Sequence, residues 1–101
     1  MKTLAILLFA ACGLAFAGAP EGKTVYEAKC QKCHGPNGEG KASIAKMYNI
    51  TLKPLASKEV QAISDADMKK DIITGKGKMK PIVGLEGKDL DNVIAYVRTL
   101  K

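Results

Sequence analysis

Five consecutive residues, Cys30-Gln31-Lys32-Cys33-His34, constrain this chain more than any other stretch. Thiols three positions apart, with an imidazole one residue further on, share one face of a single helical turn. CxxCH in this form is the sequence mark of covalent c-type haem attachment, in which two thiols add across the haem vinyl groups and the histidine meets the iron. The motif therefore assigns haem c, one per chain, held through Cys30 and Cys33, with His34 as an iron ligand. Whatever fold the chain adopts has to wrap around a macrocycle.

Three other chemistries use the same side chains. A closed structural zinc site wants four ligands, whereas Cys30, Cys33 and His34 supply three. A thioredoxin-like dithiol needs a βαβ setting, and no segment here alternates apolar and polar residues as a strand would. A plain disulfide is the default for an exported cysteine pair, but it leaves His34 without a role.

Export is expected from residues 1–17, where Lys2 is followed by an apolar run from Leu4 and by Ala15-Phe16-Ala17, a small-x-small cleavage signature. The run ends too soon for the roughly 20 apolar residues that span a bilayer, so a cleaved secretory signal, periplasmic localisation and no stable membrane insertion are expected. Cys12 raises the alternative of a lipidated cysteine. The bulky Phe9 three positions before it opposes that reading.

Residues 18–101 contain no repeat and no long linker, which predicts one domain. Phe9 and Phe16 leave with the signal and the chain has no tryptophan, so Tyr26, Tyr48 and Tyr96 are the aromatics that remain. A domain this small needs a staple, and the haem would serve as both staple and aromatic core. The formal charge of +6 falls by one with Lys2. In an exported protein this basicity points to an acidic protein partner and away from nucleic acid.

The patterning predicts an all-α chain of about four to five short helices. Thr24 and Glu27 have capping-box spacing, so a first helix is expected from Thr24 toward Cys30. GPNGEGK, residues 35–41, is a loop. Ile44, Met47 and Tyr48 give a second helix an apolar face, ended by residues 49–54. A brief helical turn is expected over 57–62. Ser64 with Asp67 starts a helix carrying Met68, Ile72 and Ile73 as far as Gly75. Residues 75–84 read as an irregular loop, and Leu90, Val93, Ile94, Val97 and Leu100 keep helical period to the C-terminus.

His34 is the only histidine. Bis-histidine ligation is therefore excluded, and the sixth iron position falls to methionine, to a weaker donor or to nothing. Met47 and Met68 sit on helical apolar faces, where methionine is usually core filler. Met79 sits in a glycine-rich loop that no helical period explains, and it is the candidate axial ligand, with Met68 and an open position as alternatives. A thioether favours ferrous iron and raises the potential.

With these residues in view, the chain resembles the class I c-type cytochromes, in particular the small soluble monohaem cytochromes of bacteria. The likeness runs through Gly22, Tyr26, CQKCH, the GKGKM loop and the terminal LDNVIAYVRTL. It implies a small cytochrome c fold in which the N-terminal and C-terminal helices cross, with Gly22 and Tyr26 meeting Val93 and Tyr96. Two departures stand out: Lys80 separates Met79 from Pro81, where many members have proline directly after the methionine. Lys46 occupies the place of a proline whose carbonyl orients the histidine, so no partner for the His34 ring can be named.

Lys29, Lys32, Lys76, Lys78 and Lys80 surround the two motifs and would meet acidic patches on redox partner proteins, or simply solvate the surface. The expected function is a monomeric periplasmic electron carrier, not an enzyme, cycling one haem between ferrous and ferric states. The alternatives are a gas sensor or peroxidase-like protein with a labile sixth position, and a docked haem subunit of a larger oxidoreductase.

Overall fold

The computed structural model describes residues 18–85 and 87–101, which form helices α1 (Ala19–Lys29), α2 (Gln31–His34), α3 (Ala42–Tyr48), α4 (Lys58–Gln61), α5 (Asp65–Thr74) and α6 (Lys88–Arg98). The leader expected at 1–17, with Cys12, lies outside the described residues. Among them there is no strand beyond a single bridge between Lys76 and Met79, in keeping with an all-α chain. Among the described residues the helices number six against the expected about four to five, because the backbone breaks at Cys30 and starts α2 afresh.

α1 begins five residues earlier than expected, and Thr24 lies inside it, exposed. Pro20 occupies the first turn, where its missing N–H costs nothing, and Glu21 faces the positive end of the helix dipole. The early start also brings Gly22 into α1, and Gly22 is what lets α1 meet α6. A Cβ there would collide with the Asn92 backbone carbonyl and stand 3.0 Å from Tyr96 Cβ. One turn on, Tyr26 stacks on Tyr96 with ring centroids 5.2 Å apart and a tilt of 55°. Tyr26 and Val93 are fully buried, and the expected crossing is present.

Ser57 and Ser64 cap α4 and α5, accepting from the amides of Val60 (3.3 Å) and Asp67 (3.1 Å). Arg98, at the end of α6, ties these helices down. Its guanidinium donates to the carbonyls of Gln61 (3.1 Å) and Ile63 (2.7 Å) and to Asp65 Oδ1 (2.7 Å). α6 stops at Arg98 instead of running to the C-terminus. The Thr99 hydroxyl donates to the Tyr96 carbonyl at 2.6 Å, which competes with the helical bond and closes the last turn. Leu100 still packs against the core from outside the helix.

Met47 is a further correction. It is 69% exposed and not part of an apolar face, because α3 spans seven residues and puts Ile44 and Tyr48, four apart, on the cavity that the motif lines, Tyr48 itself staying 41% exposed.

Candidate haem site

α1 delivers the CQKCH segment and α2 carries it. Cys30, at φ −115° and ψ −36°, is the joint, and its amide still donates to the Tyr26 carbonyl at 2.8 Å. Two of the carbonyls that α2 leaves open are claimed by the following loop: the Gly40 amide donates to His34 O (2.7 Å) and the Lys41 amide to Cys33 O (3.0 Å). The Tyr26 hydroxyl, buried, donates to Gly35 O at 2.6 Å. The motif is thus anchored from α1 and from the loop at once, through bonds that no local sequence pattern announces.

Cys30, Cys33, His34 and Met79 all line one cavity of about 520 Å³, within the size range of cofactor sites. The rest of the lining is mainly apolar and comes from every helix of the fold: Ile44 from α3, Val60 from α4, Met68 and Ile72 from α5, Val93 and Val97 from α6. Met68 is buried as core as well as lining the cavity. Lys29, Lys76, Lys78 and Lys80 also line it, all exposed. Lys32 is exposed but does not line it, whereas Lys53, which carries no motif, does.

The chemistry of the donor set decides between the uses that the sequence left open. Cys30 and Cys33 are free thiols. Burial, then the neighbouring Cys33, pushes the Cys30 thiol up to about 11. A redox-active dithiol needs the opposite shift, toward thiolate. Among the described residues no three His, Cys, Asp or Glu side chains converge as a metal cluster. Burial lowers the pKa of His34, favouring the neutral imidazole that can offer a lone pair. Its Nδ1 is buried without a hydrogen-bond partner, leaving Nε2 as the nitrogen available to the cavity. Among the described residues no carbonyl or carboxylate replaces the missing proline carbonyl at this ring.

Met79 is held by backbone geometry. The Lys76 amide donates to Met79 O and the Met79 amide to Lys76 O, both at 2.9 Å, so Gly77 and Lys78 form a tight turn. The Lys76 ammonium lies 3.7 Å from Asp71 of α5.

A hydrophobic cavity with two paired thiols, a neutral imidazole and a thioether on its lining fits a covalently held haem. The comparisons agree. The Cytochrome c family model matches residues 19–101, and the chain belongs to that family. It is therefore a haem-based electron-transfer protein rather than an enzyme, with haem c bound covalently and Cys30 and Cys33 at the required spacing. Among curated proteins it is similar to cytochrome c-554(547) of Halothiobacillus neapolitanus, at 35% identity over 88 residues covering 82% of this chain and 97% of that protein. No solved structure matches the chain. Among the described residues no helix is long and apolar enough to cross a membrane.

Proposed function

We propose that the chain is exported to the periplasm, loses residues 1–17, and works over residues 18–101 as a monomeric electron carrier whose single haem takes His34 and Met79 as its two axial ligands. The observation that carries this reading is the meeting of the sole histidine and the loop methionine on one cavity with both attachment cysteines. Bound haem supplies a one-electron couple between ferrous and ferric iron. The chain supplies the rest. His34 offers Nε2, Met79 offers a soft sulfur that raises the potential, and the apolar lining keeps water from the iron. With both positions filled, small molecules have no open site.

The exposed amines of Lys29, Lys53, Lys76, Lys78 and Lys80 at the cavity, with Lys32 within the motif, form a basic face suited to acidic patches on redox partners. An absorption spectrum with redox titration of the matured protein tests the ligation. The weak near-red band of methionine-ligated ferric haem is expected, and ferrous protein should not bind carbon monoxide. Met79→Ala should abolish the band, lower the potential and admit carbon monoxide. A wild-type protein that binds carbon monoxide readily would instead support a gas sensor or peroxidase-like role. Co-elution with a larger oxidoreductase on size-exclusion chromatography of native extract would support a docked subunit.

A further inference from the structure

We propose that Gly75 positions Met79, so that the absence of a side chain at residue 75 determines how firmly the sixth iron position is held; this rests on the His34 and Met79 ligation proposed above. α5 ends at Gly75, which has φ +80° and ψ 164°. From there the chain doubles back. The turn bonds between Lys76 and Met79 reverse its direction, and the Ile82 amide donates to the Ile72 carbonyl at 2.9 Å, fastening the return to the last turn of α5.

Between these two fastenings the returning backbone lies directly against Gly75. A Cβ there would stand 2.6 Å from the Met79 carbonyl oxygen and 3.0 Å from both N and Cδ of Pro81. These atoms belong to backbone and to a closed ring, so none can swing aside as a long side chain would. Relief would require the Met79 backbone itself to move. That carbonyl also accepts the Lys76 N–H, so moving it breaks the turn that presents the methionine. Lys80 separates Met79 from Pro81, and it is Pro81, two residues after the methionine, that makes the second contact with Gly75.

Two other glycines separate this displacement from ordinary backbone strain. Gly77 (φ +59°) and Gly87 (φ +56°) share the left-handed region that disfavours any side chain, yet a Cβ at either would meet nothing within 4 Å. Gly77→Ala and Gly87→Ala therefore carry the conformational cost without the collision.

The test uses haem-loaded Gly75→Ala and, because Gly77 lies within the Met79 turn itself, Gly87→Ala as the control, reading the near-red absorbance, the affinity of ferric protein for added imidazole, and the melting temperature. Gly75→Ala should lose most of the near-red band and bind imidazole at least about tenfold more tightly, because a larger fraction of molecules has the methionine off the iron. Gly87→Ala should melt earlier while keeping the band and an imidazole affinity within about twofold of wild type. A Gly75→Ala protein with the wild-type band and affinity would overturn the proposal, and so would Gly87→Ala weakening the band equally. Should Gly75→Ala fail to mature, hydrogen exchange on the wild type decides. The Lys76, Met79 and Ile82 amides should be protected at least about a hundredfold, and unprotected amides would refute a fixed loop. Met79→Ala tells the two claims apart. If the band survives it, the ligation reading fails. If Met79→Ala removes the band and Gly75→Ala leaves it intact, the positioning of Met79 by Gly75 alone fails.

Discussion

Tyr26→Phe removes a single oxygen atom from the interior and tests how the motif is anchored. The ring still fills its place against Tyr96, so almost no apolar burial is lost. What goes is the 2.6 Å bond to Gly35 O, one residue after His34, and that buried carbonyl keeps only the 3.2 Å bond from the Gly38 amide. Losing a buried hydrogen bond of this kind costs about 1 kcal/mol, which for a domain of this size lowers the melting temperature by about 4 to 8 °C. Tyr96→Phe is the matched control, since among the described residues its hydroxyl makes no hydrogen bond.

The dependence on pH sharpens the test. Burial above all, with Cys30, Tyr96 and Glu39 adding to it, pushes Tyr26 from 10.0 up to about 12. Once haem is attached, Cys30 is a thioether with no proton to lose, while burial remains. The unfolded chain releases the phenol proton near the ordinary value and the folded chain only near the raised one. The stability that Tyr26 contributes is therefore complete below about pH 10 and is lost as pH rises toward about 12, up to roughly 2 to 3 kcal/mol. Phenylalanine cannot ionise, and lysine titration in this range affects both proteins alike. Urea unfolding should show wild type more stable than Y26F near pH 7 and pH 9, with the gap closing by about pH 11. A gap at neutral pH below about 0.5 kcal/mol, or one that stays constant into alkali, would refute the reasoning.

Gly22→Ala should destabilise by about 2 to 3 kcal/mol, although alanine is the better helix former by about 1 kcal/mol, because the added methyl meets the Asn92 backbone; a raised melting temperature would contradict it. Arg98→Ala should cost about 2 to 3 kcal/mol in denaturant unfolding, and Arg98→Lys should recover less than half, since one ammonium cannot reach two carbonyls and Asp65 in fork geometry. Electron transfer to an acidic protein partner should slow at least about tenfold between roughly 0.01 M and 0.5 M salt, and less steeply with Lys76, Lys78 and Lys80 changed to Gln; a flat salt profile in stopped-flow would remove the docking role.

Where a feature depends on neighbours along the chain, the sequence foretold it. Ser64 announced its helix through a hydroxyl that caps the amide three residues on, and the apolar period from Leu90 to Val97 marked α6. The CQKCH spacing and the solitary histidine pointed to the attachment cysteines and to the cavity they line. Features set by distant partners were hidden. The Thr24 capping box looked sufficient by itself, but the start of α1 answers to Pro20 and to the fit of Gly22 against Asn92 on the far helix. Met47 read as core because period alone cannot say which edge of a short apolar stripe turns inward. Lys53 belongs to no motif, and nothing near Tyr26 in the chain indicates that its hydroxyl would reach Gly35.

The crossing of α1 with α6 also fixes an order of events. Gly22 and Tyr26 are made well before the surface that covers them, from Asn92 to Tyr96. A nascent chain that has not yet reached α6 has no way to complete this crossing, so the contact that shuts α1 down cannot form until α6 is made. Closure comes only with α6, and it seals whatever has by then been joined to the cysteines.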